Sequence, residues 1–196
     1  MKRWLVLLLL VFGGWWWLHD APAKWKGVPA AAEPVQTTKD LPAPFRHREY
    51  LITPLATYSI KAVVLSRDYY RFDPAAKLAP LDLALGWKSM SIAGVLNELK
   101  ITQSARWYEY RWRGAAPLEP SQIAKQSANT HCIPADASIK RQLLSIRRHD
   151  LVTLEGFLVA VNGPNHFTWR SSLTRDDSAG GACEIMFVTG VTRRKL

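Results

Sequence analysis

Lys2 and Arg3 precede an uncharged run from Trp4 to Leu18, and this arrangement decides where the rest of the chain folds. A positive flank before an apolar stretch is an export signal. The positive-inside tendency keeps Lys2 and Arg3 in the cytoplasm and sends the downstream chain across the membrane. The run is shorter than the about 20 residues of an ordinary span, and Ala21-Pro22-Ala23 resembles a cleavage site. Trp15, Trp16 and Trp17, however, suit the outer interface of a bilayer, where the ring is apolar and the indole N–H is wet. The reading is an uncleaved single-pass anchor over residues 1–20 in a bacterial inner membrane, touching lipid through residues 4–18, with the C-terminal domain in the periplasm. A cleaved signal is the alternative. No cysteine lies near the end of the run, so a lipoprotein anchor is excluded.

Residues 21–45 hold Pro22, Pro29, Pro34, Pro42 and Pro44 among several alanines. The composition predicts a semi-extended spacer, able at about 3.1 Å per residue to hold a domain tens of ångströms from the membrane. Residues 46–196 are then the globular domain, long enough to bury a real core. The formal charge is +10, and nearly all of it lies beyond residue 23. A basic surface attracts phospholipid head groups, nucleic acid, acidic glycans or an acidic protein, without choosing among them.

Tyr58–Ser66 reads as a strand rich in β-branched and aromatic residues. Leu81–Trp87 is short and apolar. Ser91–Lys100 has helical spacing with Ser91 as its cap, and Ile101–Arg113 reads as one long strand. Helices come next at Pro120–Ala128 and Ala137–Arg148. Three strands close the chain at Leu151–Val161, His166–Leu173 and Ala182–Val191. Gly156, inside the first of these, suggests a bulge or barrel bend. The fold class expected is α+β: a small, strongly bent antiparallel sheet or open β-barrel of the OB or SH3 kind, with two or three helices behind the membrane segment.

Three stretches carry candidate chemistry. Arg106-Trp107-Tyr108-Glu109-Tyr110-Arg111-Trp112-Arg113 interleaves aromatic and basic residues, with Tyr108, Tyr110 and Trp112 on one face of a strand. Arg106, Trp107, Arg111 and Arg113 are binding candidates there, joined by Arg170 and Arg175 on the hairpin Trp169–Asp177. Residues 127–135, read as a junction between two helices, hold His131, a candidate general base. Asp176 or Glu184 would assist it. Cys132 and Cys183 are expected to pair as a disulfide in an oxidising compartment. A Cys183 nucleophile served by His131 or His149 ranks behind that bridge. No C-x-x-C and no close His pair is present, so neither a metal nor a cofactor is expected.

Pro80–Trp87 and Trp169–Asp176, together with Cys183-Glu184, resemble segments of an uncharacterised family of short bacterial exported or membrane-anchored proteins. The resemblance covers roughly residues 58–192. It implies a bacterial envelope or mobile-element context and carries over no catalytic residue.

The first functional reading is a membrane-tethered envelope binding or assembly module without catalysis, its basic surface engaging an anionic polymer or a protein partner. The second is an envelope hydrolase using His131 with Asp176 or Glu184, Arg170 or Arg175 holding an anionic substrate. The third is single-stranded nucleic-acid binding on a barrel face, which needs Tyr108, Tyr110 or Trp112 exposed.

Overall fold

The computed structural model describes residues 22–174 and 183–196, so the expected anchor lies outside the described residues. Among these, no helix is long and apolar enough to cross a membrane. The fold is α+β, dominated by one strongly bent sheet. Its strands are β1 (Val35–Thr37), β2 (Phe45–His47), β3 (Tyr50–Tyr69), β4 (Leu81–Gly86), β7 (Ser127–Pro134), β8 (Asp150–Asn162), β9 (Thr168–Arg170) and β10 (Glu184–Lys195). A separate hairpin is formed by β5 (Lys100–Ser104) and β6 (Trp107–Arg111). The helices are α1 (Ala93–Asn97), α2 (Pro120–Lys125) and α3 (Ala137–Ser145).

Five strands close a ring. β3 pairs with β4, β4 with β7, β7 with β10, β10 with β8, and β8 returns to β3. Only the β7–β10 pair is parallel. The long β3 makes closure possible, because Leu51–Val63 face β8 while Val63–Tyr69 face β4. Its first half alternates buried and partly exposed residues, the mark of a half-covered strand. Pro54, which cannot donate to the ladder, sits where the register with β8 shifts. Gly156 lies where β8 bends against β10. A Cβ there would meet the Phe187 carbonyl oxygen at 2.0 Å, so only glycine allows the approach.

The barrel encloses one apolar cluster around Ile60, Val64, Leu83, Trp87, Leu154 and Met186. A second, around Ile52, Leu78, Ile133, Val161 and Ile185, covers part of the outer face. α3 connects β7 to β8, buries Ile139 and Leu143, and is capped by Asp136, whose side chain accepts hydrogen bonds from the Ser138 and Ile139 N–H groups.

The structure corrects three sequence expectations. The Pro/Ala-rich stretch is not a free spacer from residue 22 onward. Ala30 is buried, the Lys88 N–H donates to its carbonyl at 2.7 Å, and Val35–Thr37 pairs with β3. Prolines bar this segment from helices and central strands but not from lying along an edge. Ile101–Arg113 is a hairpin, turning at Ala105-Arg106. Residues 127–134 form a fully buried strand between β4 and β10. Covered on both sides, that strand has no polar/apolar alternation to betray it, and its Asn, Thr and His disguise it as a loop.

Candidate functional site

Strand register builds the centre of the site. Asp82 on β4 is the direct antiparallel partner of His131 on β7, so the two side chains emerge side by side on one face. On the other side of β7, Ile185 is the register partner of His131, and Cys183 immediately precedes β10. The Cys183 carbonyl accepts a hydrogen bond from the Ser172 N–H at 3.1 Å, which fixes the approach of the thiol.

His131 Nδ1 lies 2.9 Å from Asp82 Oδ2. The approach is close without hydrogen-bond alignment, and neither atom has a hydrogen-bond partner among the described residues. Both side chains are almost wholly shielded from water. Burial works hardest against protonation of His131, but the neighbouring Asp82 and Cys183 outweigh it and raise its pKa above the ordinary value. His131 thus stands against Asp82 on one side and shares a cavity wall with Cys183 on the other. Among the described residues, no group of three His, Cys, Asp or Glu side chains is placed to hold a metal.

Arg106 holds the other carboxylate oxygen of Asp82. Its Nη1 donates to Asp82 Oδ1 at 3.0 Å, its Nε and Nη2 grip Asp73, and Nη2 also reaches the Ala79 carbonyl. The guanidinium lies over the Tyr70 ring, 4.1 Å from its centroid. A two-residue turn delivers it there, with φ of 48° at Ala105 and 67° at Arg106. Both values are left-handed, as a type I′ hairpin requires, yet neither residue is the Asn or Gly such turns favour. The Arg106 N–H donates to Tyr70 Oη, and its carbonyl accepts from Asn129 Nδ2 at 2.8 Å. Asn129 is held in turn by Gln103 and lies 3.9 Å from Cys183 Sγ, close enough to stabilise a thiolate.

The site opens on a cavity of about 500 Å³ lined by Tyr70, Trp107, His131, Phe167, Trp169 and Cys183, among others. The Trp169 ring packs on His131 with centroids 4.6 Å apart, and Trp107 stands half-exposed at the rim.

Arg106 lines this cavity, with its guanidinium held by Asp73 and Asp82. The other sequence candidates disperse. Arg170 is exposed on β9, while Arg111 and Arg113 are exposed away from this cavity, at another one. Arg175 and Asp176 lie outside the described residues. Glu184 is buried on β10, but it is the register partner of Thr130, so its side chain leaves the opposite face from His131. The Cys132–Cys183 bridge does not form: both thiols are free. Cys132 comes directly after His131 on the strand and points into the barrel core, where burial pushes its pKa strongly up, whereas Cys183 is on the outer face. Tyr108, Tyr110 and Trp112 are partly buried and pack against the core, with Trp112 also lining that other cavity. Asp82 escaped the sequence reading, although a lone aspartate inside the apolar run Leu81–Trp87 was a signal for a buried, partnered carboxylate.

No protein-family model, curated protein or solved structure matches this chain.

Proposed function

We propose that the protein is a membrane-anchored envelope enzyme of the thiol acyl-transfer class, with Cys183 as nucleophile, His131 as general base and acid, and Asp82 as the group that orients the imidazole. The observation carrying this reading is that Cys183 and His131 line one aromatic-walled cavity while the buried Asp82 backs the imidazole from behind. A nucleophile beside a base that a third group orients is the general signature of an activated side chain. Burying a carboxylate and an imidazole costs stability that an apolar pair would not, which favours a chemical role over a structural one.

In the reaction, His131 takes the Cys183 thiol proton and the thiolate sulfur attacks the carbonyl carbon of an ester, thioester or amide. The tetrahedral adduct collapses, the leaving group departs with the proton from His131, and a thioester remains on Cys183. Water, giving a proton to His131, attacks that thioester. Collapse releases the acid, and the proton returns to sulfur. Arg106, occupied by two carboxylates, is not free for an anionic substrate, and the aromatic walls favour an apolar acyl group.

Position supports the reading. The ring order β3-β4-β7-β10-β8 is that of an OB-type barrel, with α3 between its third and fourth strands. The cavity draws on the loop after its first strand (70–80) and on the connection after its fourth, the surfaces through which such barrels bind ligands. A non-catalytic binding or assembly module using the same face is the second reading, favoured by the half-exposed Trp107 at the rim.

Turnover of p-nitrophenyl butyrate separates the two. The catalytic reading expects a burst of p-nitrophenolate stoichiometric with enzyme, a butyryl group on Cys183, and loss of both in Cys183→Ala and His131→Ala. Hydrolysis no faster in the wild type than in Cys183→Ala overturns it.

A further inference from the structure

A second cavity, of about 600 Å³, lies away from Cys183. Lys100, Arg111, Arg113 and Arg148 line it together with Glu98, and Arg111 Nη2 also donates to the exposed Glu109 carboxylate at 2.9 Å. Trp112, Leu96 and Leu99 give it an apolar side. Cations beside apolar surface suit an amphiphile with a phosphate more than a diffuse polyanion.

Pro22 also lines this cavity. The chain around it is tied down: the Ala23 N–H donates to Asn97 Oδ1 at 2.8 Å, and Trp25 Nε1 to the Ser91 carbonyl at 2.9 Å. Between Leu18, the end of the apolar run, and Pro22 the chain spans at most about 14 Å even when fully extended. If the run is embedded in a bilayer, the cavity is therefore held near the head groups, not tens of ångströms away. We propose that this cavity binds the phosphate of an anionic phospholipid head group on the outer surface of the membrane that holds the anchor. The proposal rests on the reading of residues 4–18 as membrane-inserted and is independent of the chemistry at Cys183. Such a contact would fix the tilt of the barrel over the membrane and hold the Cys183 cavity at a set height.

Calorimetry on the full-length chain in dodecyl maltoside micelles tests it, with dihexanoylphosphatidylglycerol, dihexanoylphosphatidylcholine and inorganic phosphate as separate titrants. Phosphatidylglycerol is expected to bind more tightly than phosphatidylcholine. The variant Lys100→Ser/Arg111→Ser/Arg113→Ser should lose affinity about tenfold or more, while Arg46→Ser/Arg170→Ser and Cys183→Ala retain it. All three replaced cations are exposed, so the triple variant is expected to keep the wild-type melting temperature. Arg111→Lys/Arg113→Lys, which keeps the charge, should retain most of the binding. Equal affinity for the two lipids, unchanged binding by the triple variant, or binding of inorganic phosphate without phosphatidylglycerol would each overturn the proposal.

Discussion

Nδ1 of His131 stands 2.9 Å from Oδ2 of Asp82, and the two are direct partners across neighbouring strands. The pairing is thus set by the barrel's register rather than by a loop. Asp82→Asn keeps the shape but removes the charge that helps raise the His131 pKa. Thiol-dependent turnover in this variant is expected to slow by about a hundredfold or more, with substrate KM little changed. An unaltered kcat in Asp82→Asn would remove Asp82 from the relay.

Arg106 joins two carboxylates, one of them wholly buried. Arg106→Ala leaves Asp82 with only His131 as a charged partner, and a loss of about 3–5 kcal/mol in urea unfolding is expected. Arg106→Lys should recover only part of it, since an ammonium cannot reach Asp73, Asp82 and the Ala79 carbonyl in a planar fork. Full recovery by lysine would show that charge alone matters.

Ala105 adopts a left-handed backbone with φ of 48°. Glycine loses no Cβ contact to reach that region, so Ala105→Gly is expected to stabilise the fold by about 1 kcal/mol. Its thiol reactivity should match the wild type. Destabilisation would mean that the alanine methyl contributes packing that outweighs the strain.

Two histidines give stability trends of opposite sign. The His131 pKa is raised, so its contribution is fully present below about pH 6.5 and fades as pH rises through the folded value. The His149 pKa is lowered to about 4, mainly by burial, then by Arg148, with Asp150 opposing. Its contribution is present above about pH 6.5 and is lost as pH falls toward 4. Melting temperatures should therefore show the advantage of wild type over His131→Gln shrinking with rising pH. The advantage over His149→Asn should shrink with falling pH, asparagine being chosen because residue 149 has a φ of 68°. Parallel pH trends in the two comparisons would contradict these assignments.

Much of the frame was legible in the residues. β-Branched and aromatic residues marked the middle of β3, and Gly156 marked the bend. The Ala105-Arg106 turn was not, because it lacks the Asn-Gly chemistry that signals a two-residue hairpin. Residues 127–134 were not, because a strand covered on both sides shows no periodicity. The site suffered most. His131 and Cys183 stood out as reactive types, but their alliance with Asp82 depends on the register of β4, β7 and β10, which no local pattern encodes. The same gap made a disulfide seem the natural fate of the two cysteines, ahead of a thiol nucleophile.

The most direct test is alkylation of the native full-length protein by iodoacetamide at neutral pH, with each cysteine tracked by peptide mass spectrometry. Cys183 should react at least about tenfold faster in the wild type than in His131→Ala, with Asp82→Asn in between. Cys132, sealed in the core with its thiol held protonated, should stay unlabelled until the protein unfolds. If Cys183 reacts at the same rate with and without His131, or the two cysteines label alike, the Cys183–His131–Asp82 relay does not exist.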